Sequence, residues 1–156
     1  MRGAMRAFVA IGIVFFLTSC SRWEAKSAVK KLLNDPDSAQ FSGLMDGTGK
    51  GNVCGFVNAK NRMGGYVGAT PFFYEAKYEK TAIVPPTKDS DFRDLYNHIE
   101  LGWDFSDELN KLSTKCELEQ EWKDVCGIPY PGQISRFCSE VNNGKTLYKS
   151  LRAEFN

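Results

Sequence analysis

Asn52-Val53-Cys54-Gly55-Phe56-Val57-Asn58-Ala59 is the stretch around which the fold of this chain organises. It is apolar, rich in residues that favour pleated backbone and bounded by turn formers, which predicts a strand over 52–59. Asn61 to Gly65 has the composition of a hairpin turn, and Tyr66 to Thr70 is expected as the return strand. Phe72, Tyr74, Ala76 and Tyr78 then alternate with Glu75, Lys77 and Glu79, the period of a half-buried strand. Upstream, Ala39 and Phe41 open an extended segment that runs into the glycine-rich loop Gly43 to Gly51. Together these segments predict a small antiparallel meander.

Working outward, Ala25, Ala28, Val29, Leu32 and Leu33 recur at helical spacing from Trp23, with Lys26, Lys30 and Lys31 on the opposite side. This amphipathic helix should stop near Leu33, because Asn34-Asp35-Pro36-Asp37 favours a turn and disfavours helical backbone before the proline. Pro85-Pro86 marks a boundary, and the rest reads as helical. Asp91 to Trp103 carries Phe92, Leu95, Tyr96, Ile99 and Trp103 on one side, with Asp89 or Ser90 as N-cap. Ser113 to Cys126 carries Leu118, Trp122 and Val125. After Pro129-Tyr130-Pro131-Gly132, a third helix is expected on Ile134, Phe137, Cys138 and Val141, stopped by Asn142-Asn143-Gly144. Leu147, Leu151 and Phe155 mark a short last helix over 146–155. The fold class is therefore α+β: an N-terminal helix packed on a small antiparallel meander over 20–84, followed by a disulfide-stapled helical part over 85–156.

The first twenty residues read differently from the rest. Met1 to Arg6 is short and cationic, and Ala7 to Leu17 is apolar but about half as long as a bilayer-spanning helix. Residues 1–19 are expected as an export signal. Leu17-Thr18-Ser19-Cys20 resembles the lipobox of bacterial lipoproteins, which implies cleavage before Cys20 and acylation of its thiol. Ser21 replaces the aspartate that retains enteric lipoproteins in the inner membrane, so the resemblance implies the periplasmic face of the outer membrane. Only Ser21 and Arg22 precede the helical pattern, and two extended residues span at most about 7 Å, so the domain should sit against lipid. Several acyl chains on one cysteine hold it there, since each buried methylene contributes about 0.8 kcal/mol.

Without Arg2 and Arg6 the chain from Cys20 carries 18 basic against 19 acidic side chains, a net charge of −1. That balance argues against nucleic acid as a partner. With 42% hydrophobic and 25% charged residues, the chain is too apolar to be disordered and can bury a core.

A second resemblance rests on Asp35-Pro36-Asp37-Ser38-Ala39-Gln40-Phe41, Val53-Cys54-Gly55, Val57-Asn58-Ala59-Lys60-Asn61 and Gly64-Gly65-Tyr66-Val67-Gly68. These resemble a family of small bacterial and phage-associated envelope proteins of unknown function, in which a helix, a DPxSAxF turn and a VCGxVNxKNxxGGYxG hairpin recur. The match covers residues 26–78. Phe56 stands where that family carries an acid, so any chemistry of that acid is lost here. The resemblance implies a fold and an envelope location, and supplies no catalytic residue.

Export places Cys54, Cys116, Cys126 and Cys138 in an oxidising compartment, which favours disulfides over metal. If Cys116 and Cys126 share a helix they lie about 15 Å apart and must bond to different partners. Cys126 with Cys138 across the helix turn, and Cys54 with Cys116, is the preferred pairing. Cys54 with Cys126 and Cys116 with Cys138 stays open, as does a free Cys54. His98, the single histidine, could form a nucleophilic dyad only with Cys54 or Cys116. No CxxC pair supports zinc, no cofactor motif is present, and Gly47-Thr48-Gly49-Lys50-Gly51 lacks the spacing of a phosphate loop. Glu100 and Asp104, expected one helical turn apart, are the carboxylates a glycosidase reading would use. Tyr66, Phe73 and Tyr78 form a binding surface if all three are exposed in one patch; otherwise they are core.

The expected function is that of a membrane-anchored, non-catalytic interaction module at the cell envelope. It would be held to lipid through acylated Cys20 and bind an envelope or membrane protein, with phage-related exclusion or inhibition as special cases. A small peptidoglycan hydrolase is the alternative.

Overall fold

The computed structural model describes the backbone of residues 12–156 and the side chains from Cys20 onward. The cationic start and the first part of the expected signal peptide lie outside the described residues. Among those described, no helix is long and apolar enough to cross a membrane. The chain forms two units: the residues up to Ile83 with Val125–Gly127, and Val84–Asp124 with Ile128–Asn156. The triplet 125–127 thus groups with the sheet, not with the helical part where the sequence boundary had left it.

The first unit is a helix on a four-stranded antiparallel meander. Helix α1 spans Gly12–Lys30, and the strands β1 (Gln40–Asp46), β2 (Val53–Asn58), β3 (Thr70–Glu75) and β4 (Lys80–Ile83) pair in sequence order. Ala25 and Val29 are fully buried: Ala25 meets Val53 and Tyr74, and Val29 meets Val57 and Phe72. Phe41 closes this layer edge-on to Phe72. Each buried side chain removes apolar surface from water at about 25 cal/mol per Å2, which holds the helix on the sheet.

The Asp35-Pro36-Asp37-Ser38 turn is a short 3-10 segment, Pro36–Ser38. Asp35 Oδ1 accepts the Ser38 N–H at 3.3 Å, and the Ser38 hydroxyl donates to the Asp35 carbonyl at 2.8 Å while accepting the Lys60 N–H at 2.9 Å. The turn therefore fixes both the end of α1 and the exit of β2. Helix α1 stops at Lys30 rather than near Leu33, because Lys31, Leu32 and Leu33 donate to carbonyls three residues back and tighten the chain out of α geometry. Between β1 and β2 the register shifts across Ser42 and Met45. Gly43 sits in this bulge at φ +58, where a side chain would be strained and would press on the Phe56 ring.

The expected return strand over 66–70 does not form. Only one bridge, Lys60 to Tyr66, links the two sides of that loop. Asn61 Oδ1 accepts from Met63 and Gly65, and Asn58 Oδ1 accepts from Gly68, so side chains take the backbone donors a ladder would have used. The stretch 72–78 is also not one strand. The Ala76 N–H donates to Asn52 Oδ1 at 3.0 Å, a 3-10 turn follows over Ala76–Tyr78, and Glu79 turns left-handed before β4.

The second unit is helical: α2 (Asp89–Glu100), α3 (Ser106–Cys126) and α4 (Gly144–Phe155), with a 3-10 turn at Arg136–Ser139. Its core gathers Phe92, Leu95, Tyr96, Leu112, Cys116, Phe137, Val141, Leu147 and Leu151. Helix α2 starts one residue before the expected caps, with Lys88 at the N-cap and the Asp91 carboxylate accepting its N–H. It ends at Glu100, short of Trp103: Gly102 takes φ +67, its N–H bonds to Ile99 O, and the Trp103 N–H returns to His98 O. That pair of bonds is a Schellman closure. Helix α3 begins at Ser106 rather than Ser113, since Asp104 Oδ1 accepts the Ser106 N–H and starts the helix early. The expected third helix is only the 3-10 turn, and Asn143 does not stop it. Asn143 Oδ1 instead accepts the Thr146 N–H and starts α4.

The disulfides are Cys54–Cys126 and Cys116–Cys138, so the preferred pairing of Cys54 with Cys116 and Cys126 with Cys138 is overturned. That pairing assumed a tight helix hairpin after α3. Residues 127–135 are instead non-helical and run back along α3, bringing Tyr130 edge-on to Trp122 and Cys138 to Cys116. Cys126, the last residue of α3, reaches β2 because the turn before that strand grips its neighbour: the Thr48 N–H and hydroxyl both donate to Val125 O.

Candidate functional site

Cys20 lies on α1, exposed, with its thiol free. Its S–H donates to Glu24 Oε1 at 3.4 Å, and that bond, with the carboxylate charge, pushes the thiol pKa up from its ordinary value. Trp23, three residues on, is 70% exposed, and neighbouring Arg22 pairs with Asp46 at 3.4 Å.

The expected surface of Tyr66, Phe73 and Tyr78 is not one surface. Tyr66 and Tyr78 are exposed, but Phe73 is fully buried, paired in register with Cys54 on one side and Ala82 on the other. The alternation over 72–78 assumed one wet face, whereas Pro71, Phe72, Phe73 and Tyr74 are all buried, so both faces of β3 are covered. Tyr66 accepts from Gln40 Nε2, and Tyr78 accepts from Lys77, whose ammonium also lies over its ring.

His98 stands 3.6 Å from Glu108 Oε2 and edge-on to Trp103, while Cys54 and Cys116 are both spent in disulfides, so no thiol faces it. The loop Gly47 to Gly51 closes on itself through Gly47 N to Asn52 O and Asn52 N to Gly49 O, a turn that holds the end of α3 and not a cradle for phosphate. Glu100 accepts the Tyr148 hydroxyl at 2.9 Å and pushes that phenol pKa up. Asp104 starts α3, and its bonds from Ser106 hold its carboxyl below the usual range. The two acids do not share a helix, since α2 ends at Glu100. Among the described residues no group of three or more His, Cys, Asp or Glu could hold a metal ion.

Two features of the second unit escaped the sequence reading. The first is the α2–α3 connection, where Leu101 and Trp103 are each 59% exposed and Phe105 is at the border of exposure. Phe105 also lines an apolar hollow of about 290 Å3 with Leu95, Ile99, Leu109, Leu147 and Tyr148. Reading Trp103 as the inward end of α2 hid this patch, although Gly102 was the available signal that the helix stops before it.

The second is Glu119, only 2% exposed on α3. Its Oε1 accepts both the N–H and the hydroxyl of Thr87, and its Oε2 lies 3.6 Å from the Cys138 sulfur. Tyr130 is nearby and donates to Val84 O at 2.9 Å. Burial, and then the charge of Glu119, push its pKa up to about 12. Glu119, Tyr130, Ile134, Cys138 and Val141 are among the lining of a cleft of about 610 Å3. Leu112, Cys116, Glu119, Trp122 and Cys126 recur at helical spacing, so an acid on the apolar stripe of α3 was the signal that could have found this site.

No family model, curated protein or solved structure matches the chain.

Proposed function

We propose that the mature chain is a lipoprotein of the bacterial cell envelope, anchored through acylated Cys20 at the periplasmic face of the outer membrane. It acts there as a non-catalytic interaction module that holds one envelope protein. The observation that carries the binding part is the exposed Leu101–Trp103–Phe105 patch beside its apolar hollow. An exposed Trp with an exposed Leu two residues before it and a Phe two residues after it that lines an open apolar pocket is the composition of an interface centre, where a few anchors supply most of the affinity. The hollow is large enough for one or two aliphatic or aromatic side chains of a partner, and His98, paired with Glu108, lies edge-on to Trp103 as a polar neighbour.

The anchoring part is supported by the lipobox, by the exposure of Cys20 and by Trp23, whose ring is of the kind that rests at a membrane interface. Two disulfides fit an oxidising compartment. The resemblance to phage-associated envelope proteins makes exclusion or inhibition a special case of the same module.

A photoreactive phenylalanine analogue at position 103 of the full chain, irradiated in bacterial cells, tests the binding part. One discrete protein adduct is expected, lost when Leu101→Asp is introduced alongside it. No adduct, or the same set of adducts from the exposed position Lys145, contradicts the reading.

A further inference from the structure

The two disulfides have different surroundings. Cys54 and Cys126 are 0% and 6% exposed within the sheet unit, and no carboxylate stands at hydrogen-bond distance from either sulfur among the described residues. Cys116 and Cys138 both line the 610 Å3 cleft, and Cys138 is only partly buried, so a thiol reagent can approach that bond through open space. Beside it lies Glu119: among the described residues no cation forms an ion pair with it, and its bonds are the two from Thr87 to Oε1 and the approach of Oε2 to the Cys138 sulfur. A half-cystine has no hydrogen to give. In the oxidised protein Oε2 therefore receives no hydrogen bond from Cys138, and among the described residues no other side chain or backbone group donates to it.

We propose that Cys116–Cys138 is a thiol-exchange site, opened by dithiols and poised toward the reduced form by Glu119, while Cys54–Cys126 is a permanent brace. One thiolate of the dithiol attacks a half-cystine, the Cys116–Cys138 bond breaks, and its electron pair leaves on the other sulfur, which takes up a proton. The second thiolate of the dithiol then attacks the reagent sulfur of the mixed disulfide, the remaining cysteine leaves, and it is protonated in turn. The dithiol ends as its own disulfide and both cysteines end as thiols carrying the two protons the reagent lost. Reduction gives Cys138 an S–H 3.6 Å from Oε2 and 3.5 Å from Thr87 Oγ1; the carboxylate is the stronger acceptor, so the dithiol form gains a charge-assisted hydrogen bond that the disulfide form lacks. Thr87 cannot supply it, because its hydroxyl hydrogen is already given to Oε1. This inference concerns the second unit alone and stands whether or not Trp103 binds a partner.

The test is an equilibrium titration of the oxidised full-length protein with reduced against oxidised dithiothreitol, quenched by alkylation and read by peptide mass spectrometry. Cys116 and Cys138 should be alkylated at a ratio at least about tenfold lower than Cys54 and Cys126, about 30 mV for a two-electron couple. Glu119→Gln removes the charge while leaving an oxygen for Thr87, and should shift the Cys116–Cys138 midpoint about tenfold toward the disulfide without moving the other pair. Equal midpoints, or earlier opening of Cys54–Cys126, overturn the proposal in the wild-type protein without any variant. A Glu119→Gln midpoint that stays put or moves the opposite way overturns the role of Glu119.

Discussion

Single residues in this chain act mainly by supplying or withholding one hydrogen-bond partner. Ser38 is the clearest case, because one hydroxyl closes the Asp35 turn and receives the Lys60 N–H. Ser38→Ala should lower unfolding free energy by about 1–2 kcal/mol, since a partly buried N–H is left without its acceptor. A urea titration read by far-ultraviolet dichroism measures it, and a change within error would mean that water replaces the hydroxyl. Tyr130 gives a pH signature. A phenol whose folded pKa is raised to about 12 contributes stability that is fully present below the unfolded value of about 10 and lost as pH rises through about 12. Wild type should exceed Tyr130→Phe by about 1 kcal/mol at neutral pH, from the bond to Val84 O. Denaturant titrations at rising pH should show that gap closing above about pH 10 and reversing in favour of Tyr130→Phe by about pH 12; a constant gap would mean that Tyr130 ionises as an ordinary phenol.

At the scale of elements, ends decide more than middles. Helix α2 stops where Gly102 turns left-handed, and a Cβ there would meet nothing within 4 Å. Gly102→Ala should therefore cost only the backbone strain, about 1 kcal/mol. Gly43→Ala should cost more, because the Phe56 ring must also move. Thermal unfolding of the two variants orders them, and equal losses would contradict the reading of the bulge. These ends also mark where the sequence was legible. Strand β2 could be read as an apolar run bounded by turn formers, and the last helix over 146–155 from its period; the helix expected from Trp23 is there, but it reaches back through Ser21 and Arg22 to Gly12, so these two residues are helical and not an extended tether. The fourth strand, Lys80–Ile83, was too short to register a period. The loop over 59–69 misled because Asn58 and Asn61 take its backbone donors with their side chains, which composition does not reveal. Ile134, Phe137, Cys138 and Val141 have helical spacing, yet Ile134 is exposed and only one 3-10 turn forms there. The rule that Cys116 and Cys126 cannot bond to each other held, since both lie on α3; the choice between the two remaining pairings depended on a hairpin that the chain does not make.

At the scale of the whole molecule, each unit has its own core and its own disulfide, and chemistry-bearing groups are distributed by unit. The first holds Cys20, Trp23 and the meander; the second holds the Trp103 patch and the Glu119 cleft. In the function proposed above the first unit carries the anchor and the second the binding surface, so Cys20 is the residue on which the scheme depends. The most direct test is intact-mass and N-terminal peptide spectrometry of the protein extracted from membranes of bacterial cells expressing the full chain. The expected result is a chain beginning at Cys20 and carrying a diacylglyceryl thioether. A chain that keeps residues 1–19, or begins at Cys20 with an unmodified thiol, would contradict the anchored module proposed above.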